Sequence, residues 1–112
     1  MFAFAGCNDD EEELPPTKYT IKAWFADFSN IYIHEYNENG DKLKTNRLYS
    51  LKCNEAKTYT AEKGCKEVHV YAKCRERFIA EKHDWIIEGE DNSIGLNPAS
   101  VISEEEYNFF IK

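Results

Sequence analysis

The cysteines and histidines are the side chains of this 112-residue chain best suited to nucleophilic, redox or metal chemistry. The cysteines are Cys7, Cys53, Cys65 and Cys74; the histidines are His34, His69 and His83. No CxxC or HExxH spacing relates them, and the histidines fall on separate strand candidates, so the reading predicts no metal and no cofactor. Glu88, Glu90 and Asp91 lack the alternating Asp/Asn ligands of a calcium loop. Nucleophilic catalysis needs a Ser or Cys beside a base that a third group orients. The tempting pair, His83 and Asp84, points to opposite faces of any strand, and no G-x-S-x-G elbow or glycine-rich phosphate loop occurs. No catalytic residue is therefore assigned and the chain is read as a non-enzyme. A hydrolase whose distant carboxylates converge in space is the lowest-ranked alternative.

With Cys7 set apart, three thiols remain. Cys53 and Cys74 are both placed on inward parities of their strands, so they form the candidate disulfide. The alternative is three free thiols, two of them buried as small hydrophobes.

A second group of residues suits binding. Tyr32, His34 and Tyr36 share one face of a strand, and His69 and Tyr71 share one face of another. Exposed, these faces would make a flat platform for sugar rings or a protein partner. In the alternative, the tyrosines pack between sheets while Ile31 and Ile33 pack elsewhere.

The elements that must carry these residues read as strands. Aromatics are 14% of the chain, and most stand in alternating segments that suit a pleated, half-buried surface. A first strand is expected from Lys18 to Phe28, a turn at Ser29-Asn30, and a second strand from Ile31 to Asn37. Asn39-Gly40 predicts a two-residue type I′ hairpin that sets Tyr36 opposite Leu43. Val68, Val70, Ala72 and Cys74 mark the inner face of the cleanest strand, with His69, Tyr71 and Lys73 outward. Phe78-Ile79, Trp85–Ile87, Ile94–Leu96 and Tyr107–Ile111 supply further strands, the last preceded by one helical turn capped by Ser103 with Glu106 three residues on. Short strands separated by turn signals predict an all-β fold, an antiparallel sandwich of about seven to nine strands.

Charge narrows the partners. Net charge is −7, from 21 acids and 14 bases, and Lys42, Lys44, Arg47 and Lys52 are spread among polar residues. Nucleic acid, which needs a clustered basic surface, is excluded as a partner. No apolar run approaches the length of about 20 residues that spans a bilayer.

The N-terminal segment carries the clearest address. Phe2-Ala3-Phe4-Ala5-Gly6 leads into Cys7, and after Asn8 come Asp9-Asp10-Glu11-Glu12-Glu13. This junction resembles the lipobox of bacterial lipoproteins, with Phe4 where Leu is usual, and the acids resemble the export signal of Bacteroides-type surface lipoproteins. The resemblance implies lipidation at Cys7 and attachment to the outer membrane, facing the cell surface or the periplasm. A secretory signal has a basic start and an apolar stretch of about 7 to 15 residues. The segment before Cys7 is shorter and has no Lys or Arg, so the true start is expected upstream, or Met1 is internal to the signal. Residues 1–17 then form a signal remnant, lipidated Cys and acidic, Pro15-Pro16 tether, and residues 18–112 the folded domain. The hairpin through Gly64 into Lys66–Tyr71, with Trp85-Ile86-Ile87 beyond, is similar to the small immunoglobulin-like or transthyretin-like domains of such lipoproteins. The expected role is a cell-envelope module that binds or supports without catalysis. A glycan-binding accessory module is the first alternative.

Overall fold

Tyr19, Ile21 and Ala23 alternate with Lys18, Thr20 and Lys22, a period of two that gives a strand one dry and one wet face. The computed structural model describes residues 14–112. Among them the same rule yields β1 (Lys18–Ala23), β2 (Phe28–Tyr36), β3 (Lys42–Leu51), β4 (Ala56–Thr60), β5 (Glu67–Cys74), β6 (Arg77–His83), β7 (Asp91–Leu96) and β8 (Val101–Ile102), followed by α1 (Glu104–Phe110).

A three-stranded sheet, β4-β1-β7, packs against a five-stranded sheet, β3-β2-β5-β6-β8. Tyr19, Ile21, Ile94 and Leu96 from the first meet Ile31, Ile33, Val68, Val70 and Ile79 from the second in one core. Each fully buried aliphatic side chain there contributes about 1.5–3 kcal/mol. The predicted all-β sandwich is thus the fold. One pairing departs from an antiparallel design: β1 runs parallel to β7, with Ile21 opposite Ile94. Parallel neighbours need a long crossover, and the strands of the larger sheet supply it.

Several boundaries differ from expectation for local reasons. Phe25 takes φ 69° and ends β1 early, so the first strand stops at Ala23 rather than Phe28. Asn30 is not a turn; with φ 49° it sits in a bulge of β2, where Ser29 pairs with Lys73 but Tyr32 with Tyr71. That extra residue lets both Phe28 and Ile31 reach the core. The β2–β3 hairpin is longer than the type I′ form. Gly40 N–H donates to Asn37 O, Asn37 N–H donates to Asp41 O, and only Gly40 takes positive φ, which pairs Tyr36 with Lys42 instead of Leu43.

The C-terminal segment is helical where a strand was expected. Ser103 Oγ accepts from Glu106 N–H while the Glu106 carboxylate accepts from Ser103 N–H, closing the predicted capping box, but the helix continues through Tyr107 to Phe110. Tyr107 is buried and its hydroxyl donates to Asn30 O at 2.6 Å, so α1 lies on the outer face of the larger sheet.

Candidate functional site

Alternation along β2 and β5 places Tyr32, His34, Tyr36, His69 and Tyr71 together on the outer face of the larger sheet, as the spacing predicts. The register is direct: Tyr32 stands opposite Tyr71 and His34 opposite His69. The face is not an open platform, because α1 covers its centre. Phe110 stacks on Tyr71 with ring centroids 4.8 Å apart, and Tyr107 meets Tyr32 edge-on. His34 and Tyr71 are fully buried and leave the candidate platform; Tyr32, Tyr36 and His69 stay half-buried. The inter-sheet alternative fails as well, since Ile31 and Ile33 fill the core and the tyrosines do not.

His34 is held by both nitrogens. A carbonyl oxygen has no proton to give, so Nε2 donates to Phe110 O at 2.9 Å and Nδ1 accepts from the Thr45 hydroxyl at 2.9 Å. Burial lowers its pKa below the ordinary imidazole value and keeps this neutral tautomer. Burial also pushes the Tyr71 hydroxyl up to about 12.

Beyond the end of α1 the face stays open, and there the structure gathers a cluster that cysteine and histidine spacing missed. Glu67 and His69, two apart on β5, share the outer face, and one ligand atom each of Glu67, His69 and Asp84 lies within 4.8 Å of the others. His69 Nε2 donates to Glu67 Oε1 at 3.2 Å, and the imidazole packs on Tyr36 at 4.7 Å between centroids. Burial holds the pKa of His69 down against the opposing pull of Glu67. Asp84 arrives through a bulge. Val68 pairs with His83 and Ile86 N–H donates to Lys66 O, so Asp84 and Trp85 together span the interval that Glu67 alone occupies. The Glu-x-His spacing was legible in the chain; the bulge that brings Asp84 was not. Glu38, Lys66, Glu67, Asp84, Trp85 and Ile86 line an open cleft of about 540 Å³, with Trp85 82% exposed.

One margin of the same sheet is β3, a ten-residue strand bonded, among the described residues, only on its β2 side. Its outer face presents Arg47 between the rings of Tyr32 and Tyr49, at 4.6 and 4.5 Å from their centroids. Tyr49 is 69% exposed. Lys42, Lys44 and Arg47 lie on this strand and Lys52 just past it; none has an acidic partner among the described residues.

The candidate disulfide does not form. Cys53, Cys65 and Cys74 are free thiols; Cys53 is exposed in the turn after β3, while Cys65 and Cys74 are buried in the core. The inward parity ends at Leu51, and Cys53 N–H donates to the Asp27 carboxylate instead of continuing a ladder. Burial, reinforced by the Glu35 charge, pushes the Cys65 thiol up to about 11, which makes it a poor nucleophile. Cys7 lies outside the described residues.

Sequence reasoning also passed over Glu35, whose parity with Ile31 and Ile33 puts it on the dry face of β2, fully buried. Tyr19 OH donates to Oε2 at 2.5 Å, Asn46 Nδ2 to the same oxygen at 3.3 Å, and Glu62 N–H to Oε1 at 2.8 Å. Three donors make a buried carboxylate tolerable, and the group ties the two sheets together. No protein-family model matches the chain, and no curated protein matches its sequence.

Proposed function

We propose that this chain is a cell-envelope lipoprotein whose domain captures an extended, acidic segment of a partner protein by strand addition along β3, without catalysis. The observation that carries this reading is the ten-residue edge of β3, which has no strand partner beyond β2 among the described residues. Its free N–H and C=O groups are a template for one more strand. The edge has no acid and three bases, so a second copy of itself is repelled and an acidic strand is attracted. Tyr49 and Arg47 would flank alternate side chains of such a strand on the outer face. The resemblance at Cys7 supports a lipid anchor, and stable anchoring needs more than one acyl chain.

The test of binding uses a synthetic decapeptide alternating Glu and Val with the full chain. Amide NMR shifts should concentrate on residues 42–51, and the double charge reversal Lys44→Glu with Arg47→Glu should abolish them. Shifts confined to another surface would sink the strand-addition reading. The anchor is tested by mass spectrometry of material from the native host: the N-terminal peptide should begin at Cys7 and carry acyl chains.

A glycan-binding reading has its own observation, the exposed Trp85 beside Glu67 and Asp84 in the cleft. An indole face stacks on sugar rings while carboxylates accept from hydroxyls. Retardation in gels cast with soluble polysaccharide, lost with Trp85→Ala, would favour it.

A further inference from the structure

We infer that Glu67, His69 and Asp84 form a binding site for a divalent transition-metal ion of the Zn2+ type, separate from the β3 edge. The argument starts from the strand pair. The β5–β6 ladder ends where Val68 faces His83, and Ile86 N–H donates to Lys66 O, so Asp84 and Trp85 both stand opposite Glu67. Like charges opposite each other on one face destabilise a sheet, and a cation between them removes that cost. His69 stands on the same face, two residues along β5, and turns its Nε2 toward the Glu67 carboxylate. Bulges re-aim side chains where a ladder ends, and this one leaves Asp84 within reach of the pair.

One imidazole and two carboxylates are ligands suited to Zn2+, Ni2+ or Cu2+; Ca2+ and Mg2+ prefer all-oxygen shells. Ligand atoms now within 4.8 Å of one another need to close to about 3.4 Å for bonds near 2.0–2.1 Å, a side-chain rotation rather than a backbone shift. On binding, the Nε2 proton moves to Nδ1 and the neutral ring ligates through Nε2. The bond from Nε2 to Glu67 is then replaced by two bonds to the metal. Lys66, which lines the cleft, and Lys82, opposite His69, are the nearby cations that temper the affinity. Three protein ligands leave a coordination position facing the cleft beside Trp85, open to water or to a donor atom of a bound molecule.

The experiment titrates Zn2+ into the full chain by calorimetry, with Cys7→Ser and Cys53→Ser present so that these two thiols do not compete. One equivalent should bind, and His69→Ala and Asp84→Asn should each weaken binding by about tenfold or more. Asp84 is exposed beyond the end of β6, so its variant keeps the test valid if His69→Ala fails to fold. As a second measurement, Cu2+ should quench Trp85 fluorescence in a Trp24→Phe background, and the Asp84→Asn change should relieve the quenching. Binding that neither substitution alters, saturation only at millimolar metal, or quenching that persists in Asp84→Asn would overturn the assignment.

Discussion

His34 and Phe110 are joined across the outer face of the larger sheet, the imidazole Nε2 donating to the Phe110 carbonyl at 2.9 Å. This bond fastens the last turn of a seven-residue helix that is too short to persist alone. His34→Ala removes it and empties a fully buried position, so the domain should lose about 2 kcal/mol. Urea unfolding would measure the loss, and hydrogen exchange should show α1 opening before the strands.

Acid should weaken the same attachment. His34 and His69 both have pKa values lowered in the fold from the ordinary 6.5, so the unfolded chain binds protons first. Their contribution to stability is complete above that value and is lost as pH falls through it toward the folded pKa values. The urea midpoint should therefore drop between about pH 8 and pH 5, and the His34→Gln variant should show a shallower drop.

Glu35 and Tyr19 should behave as one unit. Tyr19→Phe removes the 2.5 Å donor and leaves the buried carboxylate with fewer partners, at a cost of about 2–3 kcal/mol. Glu35→Gln puts an NH2 group among donors at a similar cost. In a double-mutant cycle the combined variant should lose clearly less than the sum of the two.

Gly95 and Trp24 form a close contact on the outer face of the smaller sheet. A Cβ on Gly95 would stand 2.5 Å from Trp24 Nε1, so Gly95→Ala must displace the indole from β7. The displaced ring also leaves Lys22, whose ammonium lies 4.3 Å from its centroid. A red shift in Trp24 emission, recorded in a Trp85→Phe background, and a loss of about 1 kcal/mol are expected.

Thiol labelling should distinguish the cysteines. Native protein exposed to iodoacetamide should modify Cys53 quickly, and Cys65 and Cys74 only after denaturation. Peptide mass mapping gives the order. Equal labelling of Cys53 and Cys74 would contradict their placement.

The chain alone determined what depends on local pattern. Alternation from Glu67 to Cys74 set which side of β5 is dry, and Ser103 with Glu106 set where a helix starts, because pleat and cap each act over a few neighbouring residues. Tertiary packing decided the rest. Tyr107 to Phe110 read equally well as a strand, and the segment stays helical because it lands on a sheet face where Tyr32, Tyr71 and Phe78 wait for rings to cover them. Cys53 lost its inward parity when β3 stopped at Leu51, and Asp84 joined Glu67 and His69 through one extra residue beyond β6. A period of two names the faces of a strand, but strand ends and bulges depend on the neighbour it pairs with, and the neighbour is chosen only when the sheets close on a shared core.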